Sequence, residues 1–530
     1  MYKYIIALIL CGICLTAKSQ IWTPDKADGT YQNPIIYADY SDPDVIRVGD
    51  DYYMVASSFN CQPGIPVLHS KDLVNWTIIN HVYDRLPLQR YERVQPGQGS
   101  WAPSIRYHGG LFYVYFCTPE DGLFMATAKH PSGKWTLRLV QKVTNWEDPC
   151  PFWDDDGQAY LLRGAVGAGP AILHKMTPDG TRLLDNGKII YRDDRKQPVL
   201  EGFKFMDKRD GYYYFSAPAG GVQTGWQSVF RSRNIYGPYE DKIILHQGNS
   251  TVNGPHQGGI VETQTGEWWF VHFQDKGFYG RIVHLQPVQW KNGWPVAGID
   301  QDGDGTGEPV LSFKKPNVGR AYFPVTVPQT DDDFSTGKLG LQWQWQGAPQ
   351  KDWYQLSKER KGIRLMAISN PTDSGSLFYT PNLLLQKIPA PAFTVTTAVN
   401  FHPQQEGDRA GLSVAGNYFT FLCLEKEAGG NSLVLYEGKR ENRKFLMPKK
   451  LLSSPASAGK VWLRVSITED GTCRYSYSLN GSDFKDYGDA YSVQQGTWIG
   501  AKVGLICLSP SLMESKGYAD FEFFRFGSQR

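Results

Sequence analysis

Five times in the first three hundred residues, a Gly or Asp-Gly turn leads into a short alternating strand rich in aromatic residues. The copies are Gly49-Asp50-Asp51-Tyr52-Tyr53-Met54-Val55, Gly110-Leu111-Phe112-Tyr113-Val114-Tyr115, Asp156-Gly157-Gln158-Ala159-Tyr160-Leu161-Leu162, Asp210-Gly211-Tyr212-Tyr213-Tyr214-Phe215 and Gly266-Glu267-Trp268-Trp269-Phe270-Val271. The glycines stand about 50–60 residues apart, a period that marks stacked units, each burying its apolar face against the next. Five such units predict five four-stranded blades around an axis, a β-propeller. A β-sandwich with coincidental turns is the competing arrangement; repeat number, period and strand character together favour the propeller. Helical patterning is nearly absent, because the 55 Gly and 33 Pro interrupt every candidate run.

A propeller of this size does not use up the chain. At 530 residues the protein exceeds what one core of about 250–300 residues holds, so a second domain is expected. Residues 20–311 form the propeller in this reading, 312–330 a Pro-dotted linker, and 331–530 the second domain. There, runs such as FTVTTAVNF, WLRVSITED and ADFEFFRFG alternate between Gly, Asn and Asp turns, the texture of an antiparallel β-sandwich. The fold class is therefore all-β. Aromatic residues make up 14% of the chain, which suits both sheet packing and stacking on sugar rings. A net charge of +2 gives no footprint for nucleic acid.

Residues 1–19 read as a signal peptide: Lys3, an apolar run from Ile5 to Leu15, then Ala17-Lys18-Ser19 before Gln20. This points to a secreted or periplasmic protein without a membrane span. Lipid anchoring through Cys11 or Cys14 is the weaker alternative, since Leu10 and Ile13 rather than small residues precede them. The other six cysteines are scattered without a C-x-x-C pair, which argues against zinc and for buried free thiols.

About seven to ten residues before each repeat glycine an inner strand should run, with equivalent positions pointing into one central pocket. Those segments hold Asp42, Trp101, Asp148, Glu201 and the pair His256/Gln257. Carboxylates crowded around an axis repel one another and resist burial, so three of them there suggest chemistry. Glycoside hydrolysis needs such a set: a proton donor for the leaving oxygen and a second carboxylate at the anomeric carbon. Asp42 is the expected general base, Glu201 the general acid, and Asp148 the partner that orients the acid and raises its pKa. Trp101 and Phe59 are expected to form stacking walls. Asp44 shares the strand face of Asp42, so parity alone leaves the base open between them. Asp154 to Asp156 read as a solvated turn, and Trp268 and Trp269 as packing between blades.

At these residues the chain resembles glycoside hydrolase family 43, the β-xylosidases and α-L-arabinofuranosidases. The stretches NPIIYADYSDPDVIRVGDDYYMVASSF, GSWAPSIRY, NWEDPCPFWDDDGQAYLL, LEGFKFMDKRDGYYYFSA and GGIVETQTGEWWFVHF carry the likeness. The resemblance implies Asp42 as base, Asp148 as pKa modulator and Glu201 as acid, with Arg281 near the reacting sugar. It also implies inverting, exo-acting release of xylose or arabinofuranose from hemicellulose, pectin side chains or oligosaccharides. Endo-arabinanase or exo-galactanase activity, or non-catalytic sugar binding, are the alternatives. No cofactor is required. A structural calcium at the axis is left open, because His256 and Gln257 compete for the position where many members place a histidine. Where many members place an aromatic directly before the modulator, this chain has Glu147, with Trp146 ahead of it as a candidate sugar contact. The second domain is similar to the concanavalin-like domain of some members, either docked on the propeller or serving as a separate module. Asp300 to Gly305 match the opening of an EF-hand loop, but Leu311 stands where the closing Glu belongs, so a solvated turn is favoured. Oligomeric state is not legible.

Overall fold

A computed structural model describes residues 21–529, apart from 321, 357–360, 370–375, 442–443, 446, 457–458 and 510–514. The expected leader, with Cys11 and Cys14, lies outside the described residues. Five four-stranded antiparallel sheets follow one another in chain order, each meandering from an inner to an outer strand. Their inner strands are Asp44–Val48, Trp101–His108, Trp146–Trp153, Lys204–Arg209 and His256–Glu262. The repeat turns join each inner strand to the next one out, as in Asp51–Val55 and Trp268–Asp275.

The aromatic repeats form the packing between blades. Tyr52 and Trp269 sit in the core that joins the first and fifth blades, and Phe215 stacks on Phe230 at 4.5 Å in the fourth. The ring is pinned by its own N-terminal segment. Thr30–Gln32 pairs with Ser312–Lys314, and Ile36 and Val283 exchange backbone hydrogen bonds, tying the entry strand to the fifth blade. Residues beyond 314 run back along the first blade, where Gln329 bonds the backbone of Ile78 through both ends of its amide.

The second half is a sandwich of a nine-stranded and an eight-stranded sheet. It is docked on the propeller. Propeller residues Tyr37, Tyr279 and Ile282 belong to the same buried cluster as Trp343, Trp345 and Phe524 of the sandwich. Gln62 and Trp345 exchange backbone hydrogen bonds at 2.9 and 2.6 Å, and the Tyr279 hydroxyl donates to the Pro391 carbonyl at 2.6 Å. Cys61, Cys117, Cys150, Cys423, Cys473 and Cys507 are all buried free thiols.

Candidate active site

Each inner strand is entered in the same way. Asp42, Ala102, Asp148, Gly202 and Gln257, one per blade, have φ of +54°, +34°, +53°, +66° and +37°. Left-handed backbone costs a residue with a Cβ roughly 1–2 kcal/mol. In three blades it coincides with a slip in strand pairing, between Trp101 and Ser104, Glu147 and Cys150, and His256 and Gly258. Such bulges re-aim side chains, and strain of this kind gathers at functional sites. In the fourth blade only glycine fits: a Cβ on Gly202 would lie 2.7 Å from Pro218 Cδ and 2.8 Å from Gln257 Cγ.

One position earlier stand Ser41, Trp101, Glu147, Glu201 and His256. The site is thus two nested rings. The sequence suggests that Asp42, Asp148 and Glu201 are equivalent. In fact Asp42 and Asp148 share the left-handed ring, whereas Glu201 belongs to the other with Trp101, Glu147 and His256.

The three acids nevertheless meet. A cavity of about 380 Å³ at the mouth of the axis is lined by Asp42, Asp148 and Glu201, with Phe59, Trp101, Gln257 and Arg281 in its walls. The lining also includes Glu147, Trp498 and small or apolar residues such as Ala168 and Val222. Trp498 belongs to the sandwich; its ring lies 6.3 Å from that of Trp101, edge to face. Trp101 in turn is held by its indole N–H, which donates to Gly97 O at 2.9 Å. No sequence signal marked Trp498, because its loop lies outside any repeat.

Asp42 is hydrogen-bonded at both oxygens. Arg281 Nη1 donates to Oδ1 at 2.5 Å, and Ser57 Oγ donates to Oδ2 at 2.6 Å. Asp44, the competitor for the base, is turned away from this mouth and pairs with Arg106 at 2.6 Å. Asp148 Oδ2 accepts the Gly202 N–H at 2.6 Å, and Glu201 Oε1 lies 2.9 Å from His256 Nε2. Burial, followed by the charge of Glu201, pushes the Asp148 carboxyl up towards neutrality. Burial also acts to raise Glu201, but His256 and Arg281 outweigh it and hold Glu201 below its ordinary value. The expectation that Asp148 raises Glu201 is not met: the repulsion between the two acts as a rise on Asp148, while Glu201 is held down. Of these coupled carboxyls Asp148 is the more readily protonated, because His256 and Arg281 hold Glu201 down while the Lys204 charge and the Gly202 amide do not outweigh burial at Asp148.

Two expected sugar contacts are corrected. Trp146 does not line the cavity. Its ring packs against the Arg163 guanidinium, 3.7 Å from the ring centroid, and the His174 ring at 5.0 Å, and Arg163 Nε in turn donates to His174 Nε2 at 3.1 Å. His256 is fully buried behind Glu201 and acts on the site through it, while Gln257 faces the cavity. The surroundings of the axis do not fit calcium, which needs six to eight oxygen ligands. His256 is committed to Glu201, and the Lys204 ammonium already bonds Ser104 Oγ at 2.9 Å and Pro103 O at 3.0 Å. Asp300, Asp302 and Asp304 do gather their carboxylates within 4.8 Å of one another, but Lys291 pairs with Asp300 at 3.2 Å and the loop caps its own amides.

The family model for glycosyl hydrolases family 43 matches residues 31–295, which span the five blades up to their last strand and every lining residue of the pocket except Trp498. The chain belongs to glycosyl hydrolases family 43. It is a glycoside hydrolase of an inverting family. Residues 331–527 match the β-xylosidase C-terminal concanavalin A-like domain. A protein named putative beta-xylosidase from Xylanibacter ruminicola is 45% identical, over 93% of this chain and 88% of its own length. The non-reducing end alpha-L-arabinofuranosidase BoGH43B of Bacteroides ovatus is 29% identical, over 98% of each chain. Among solved structures, the family 43 protein BlXynB from Bacillus licheniformis superposes with a TM-score of 0.80 at 27% identity, covering 94% of this chain and all of that one.

Proposed function

We propose that this family 43 enzyme removes terminal pentosyl units, xylose first and arabinofuranose second, from the non-reducing ends of hemicellulose-derived chains. One observation carries the exo reading: the cavity of about 380 Å³ has Trp498 of the sandwich as a wall opposite propeller groups. That volume lies at the small end of ligand pockets. A hollow walled by two domains suits a chain end better than the middle of a polymer. The names of the relatives, β-xylosidase above all, support the pentose.

In this reading Asp42 is the general base. Its oxygens keep lone pairs free for a water beyond the bonds from Arg281 and Ser57. Glu201 passes to the glycosidic oxygen the proton that it shares with Asp148. Once Glu201 is ionised, His256 and Arg281 stabilise its carboxylate. Asp42 takes the proton of the attacking water, and exchange with solvent returns one proton to the Asp148–Glu201 pair before the next turnover. Phe59, Trp101 and Trp498 supply apolar ring faces, and Gln257 a polar contact. The apolar leader supports export from the cytoplasm as the place of action.

The test is hydrolysis of p-nitrophenyl β-D-xyloside and α-L-arabinofuranoside, with xylobiose and debranched arabinan alongside. Asp42→Asn and Glu201→Gln should each cost about 10²- to 10⁴-fold in kcat. Nuclear magnetic resonance of the first-formed anomer should show inversion. Rapid cleavage within arabinan and none of the pentosides would reject the exo-pentosidase reading.

A further inference from the structure

Glu147 is the one acid in the pocket for which the mechanism above has no use. It occupies in the third blade the ring position that Glu201 occupies in the fourth, and it lines the same cavity. Only 5% of it is exposed, and its Oε1 is buried with no hydrogen-bond partner. The backbone N–H of Ala168, from the loop that forms one rim of the cavity, faces the carboxyl. Its stem is wedged: a Cβ on Gly164 across the strand pair would lie 3.3 Å from Glu147 Cγ and 3.0 Å from Phe203 Cε2.

The charged groups around it are acids. Asp148, Glu201 and Asp42 all act on it, and none of the ion pairs among the described residues gives it a cation. Arg281 pairs with Asp42, the Arg163 guanidinium covers Trp146, and the Lys204 ammonium is bonded to Ser104 and Pro103. Burial and these three like charges push the Glu147 carboxyl far above its ordinary value. It is therefore a neutral acid at neutral pH, with an O–H to donate and a carbonyl oxygen to accept. A group that only filled space here would be cheaper as a hydrocarbon, since an unpartnered buried polar atom is costly.

We propose that Glu147 is a specificity-determining residue, whose protonated carboxyl hydrogen-bonds one ring hydroxyl of the terminal pentosyl unit. This rests on the reading of the cavity as a pentosyl pocket. A sugar hydroxyl both donates and accepts, so it complements the neutral acid. A sugar lacking that hydroxyl leaves the buried oxygen unpaired, and sites built around such a bond discriminate strongly against the missing group.

The experiment compares p-nitrophenyl β-D-xyloside with its 2-, 3- and 4-deoxy analogues, using the full chain and the variants Glu147→Leu and Glu147→Gln. Intrinsic reactivity of each analogue cancels when every ratio is taken between enzymes on the same substrate. With the unaltered protein, one deoxy position should cost about 10- to 100-fold more in kcat/KM than it does with Glu147→Leu. Glu147→Gln, which keeps a donor at every pH, should preserve most of that discrimination. It should also remove any weakening of KM at alkaline pH that comes from Glu147 ionising. If Glu147→Leu fails to fold, the KM profile of Glu147→Gln decides: an alkaline limb identical to that of the unaltered enzyme overturns the proposal. So does an unchanged ranking of deoxy substrates in a folded Glu147→Leu. Failure of the unaltered protein to cleave any pentoside would instead remove the pentosyl reading beneath it.

Discussion

Buried Asp39 of the propeller accepts the backbone N–H of Gly500 in the sandwich at 2.9 Å through Oδ2. Its Oδ1 takes the N–H of Arg281, also at 2.9 Å. One carboxylate therefore ties the arginine that grips Asp42 to the strip that carries Trp498. The charges of Lys387 and Lys502 and these two amides outweigh burial and hold Asp39 below its ordinary value.

Asp39→Asn should loosen both ends of this tie. An amide has one accepting oxygen where the carboxylate has two, and the variant leaves Lys387 and Lys502 without their shared counter-charge. Breaking a buried ionic group in this way costs about 3–5 kcal/mol. Calorimetry should show a lower melting temperature, and kcat/KM on xylobiose should fall with it.

Trp498→Ala removes a wall without touching a carboxylate. KM for xylobiose should rise about tenfold, the equivalent of about 1.4 kcal/mol, while kcat for an activated aryl xyloside changes little. Initial rates on the two substrates separate these effects. An equal loss of kcat on both would mean that Trp498 also orders the carboxyls.

The alkaline limb of kcat/KM should report the proton shared by Asp148 and Glu201. Asp148 is raised, so the pair keeps its proton above the ordinary carboxylate range and activity is lost as pH rises through that value. In Asp148→Asn the remaining acid, Glu201, is held down by His256 and Arg281. The limb should then move to lower pH, together with a lower maximum rate. A pH–rate profile of both enzymes checks the direction.

Buried histidines contribute to the acid stability, His81, His272 and His284 most strongly. Burial lowers His81 to about 3, His272 to about 4, and His284 well below its ordinary value. Because the folded pKa values are depressed, the unfolded chain binds more protons below its own value of about 6.5. Stability is therefore present above that pH and lost as pH falls through the window down to the folded values. Each tenfold drop in a histidine's proton affinity on folding corresponds to about 1.4 kcal/mol. Melting temperatures should decline steadily in that window, and His272→Gln should flatten part of the decline.

Much of this molecule was legible because the blades repeat. The aromatic strands and glycine turns fixed five sheets, and three acids at the entries of inner strands pointed to one hollow. The one-residue offset between Glu201 and the two aspartates was not legible, because it depends on bulges and positive φ at Asp42 and Asp148, which no periodicity records. Trp146 was misplaced for a related reason. Adjacent residues on a strand face opposite ways, and its ring went to Arg163 while Glu147 took the cavity. Trp498 and Asp39 were invisible because their roles arise only where two domains touch.

The wall made by Trp498 also bears on ancestry. The acids proposed for bond cleavage, Asp42, Asp148 and Glu201, are encoded in the first half of the gene, whereas Trp498, a wall of the same cavity, is encoded in the second. Recombination that exchanged the second half between relatives would hand the same acids a differently bounded hollow, so new sugar preferences could arise by shuffling with no change at Asp42, Asp148 or Glu201.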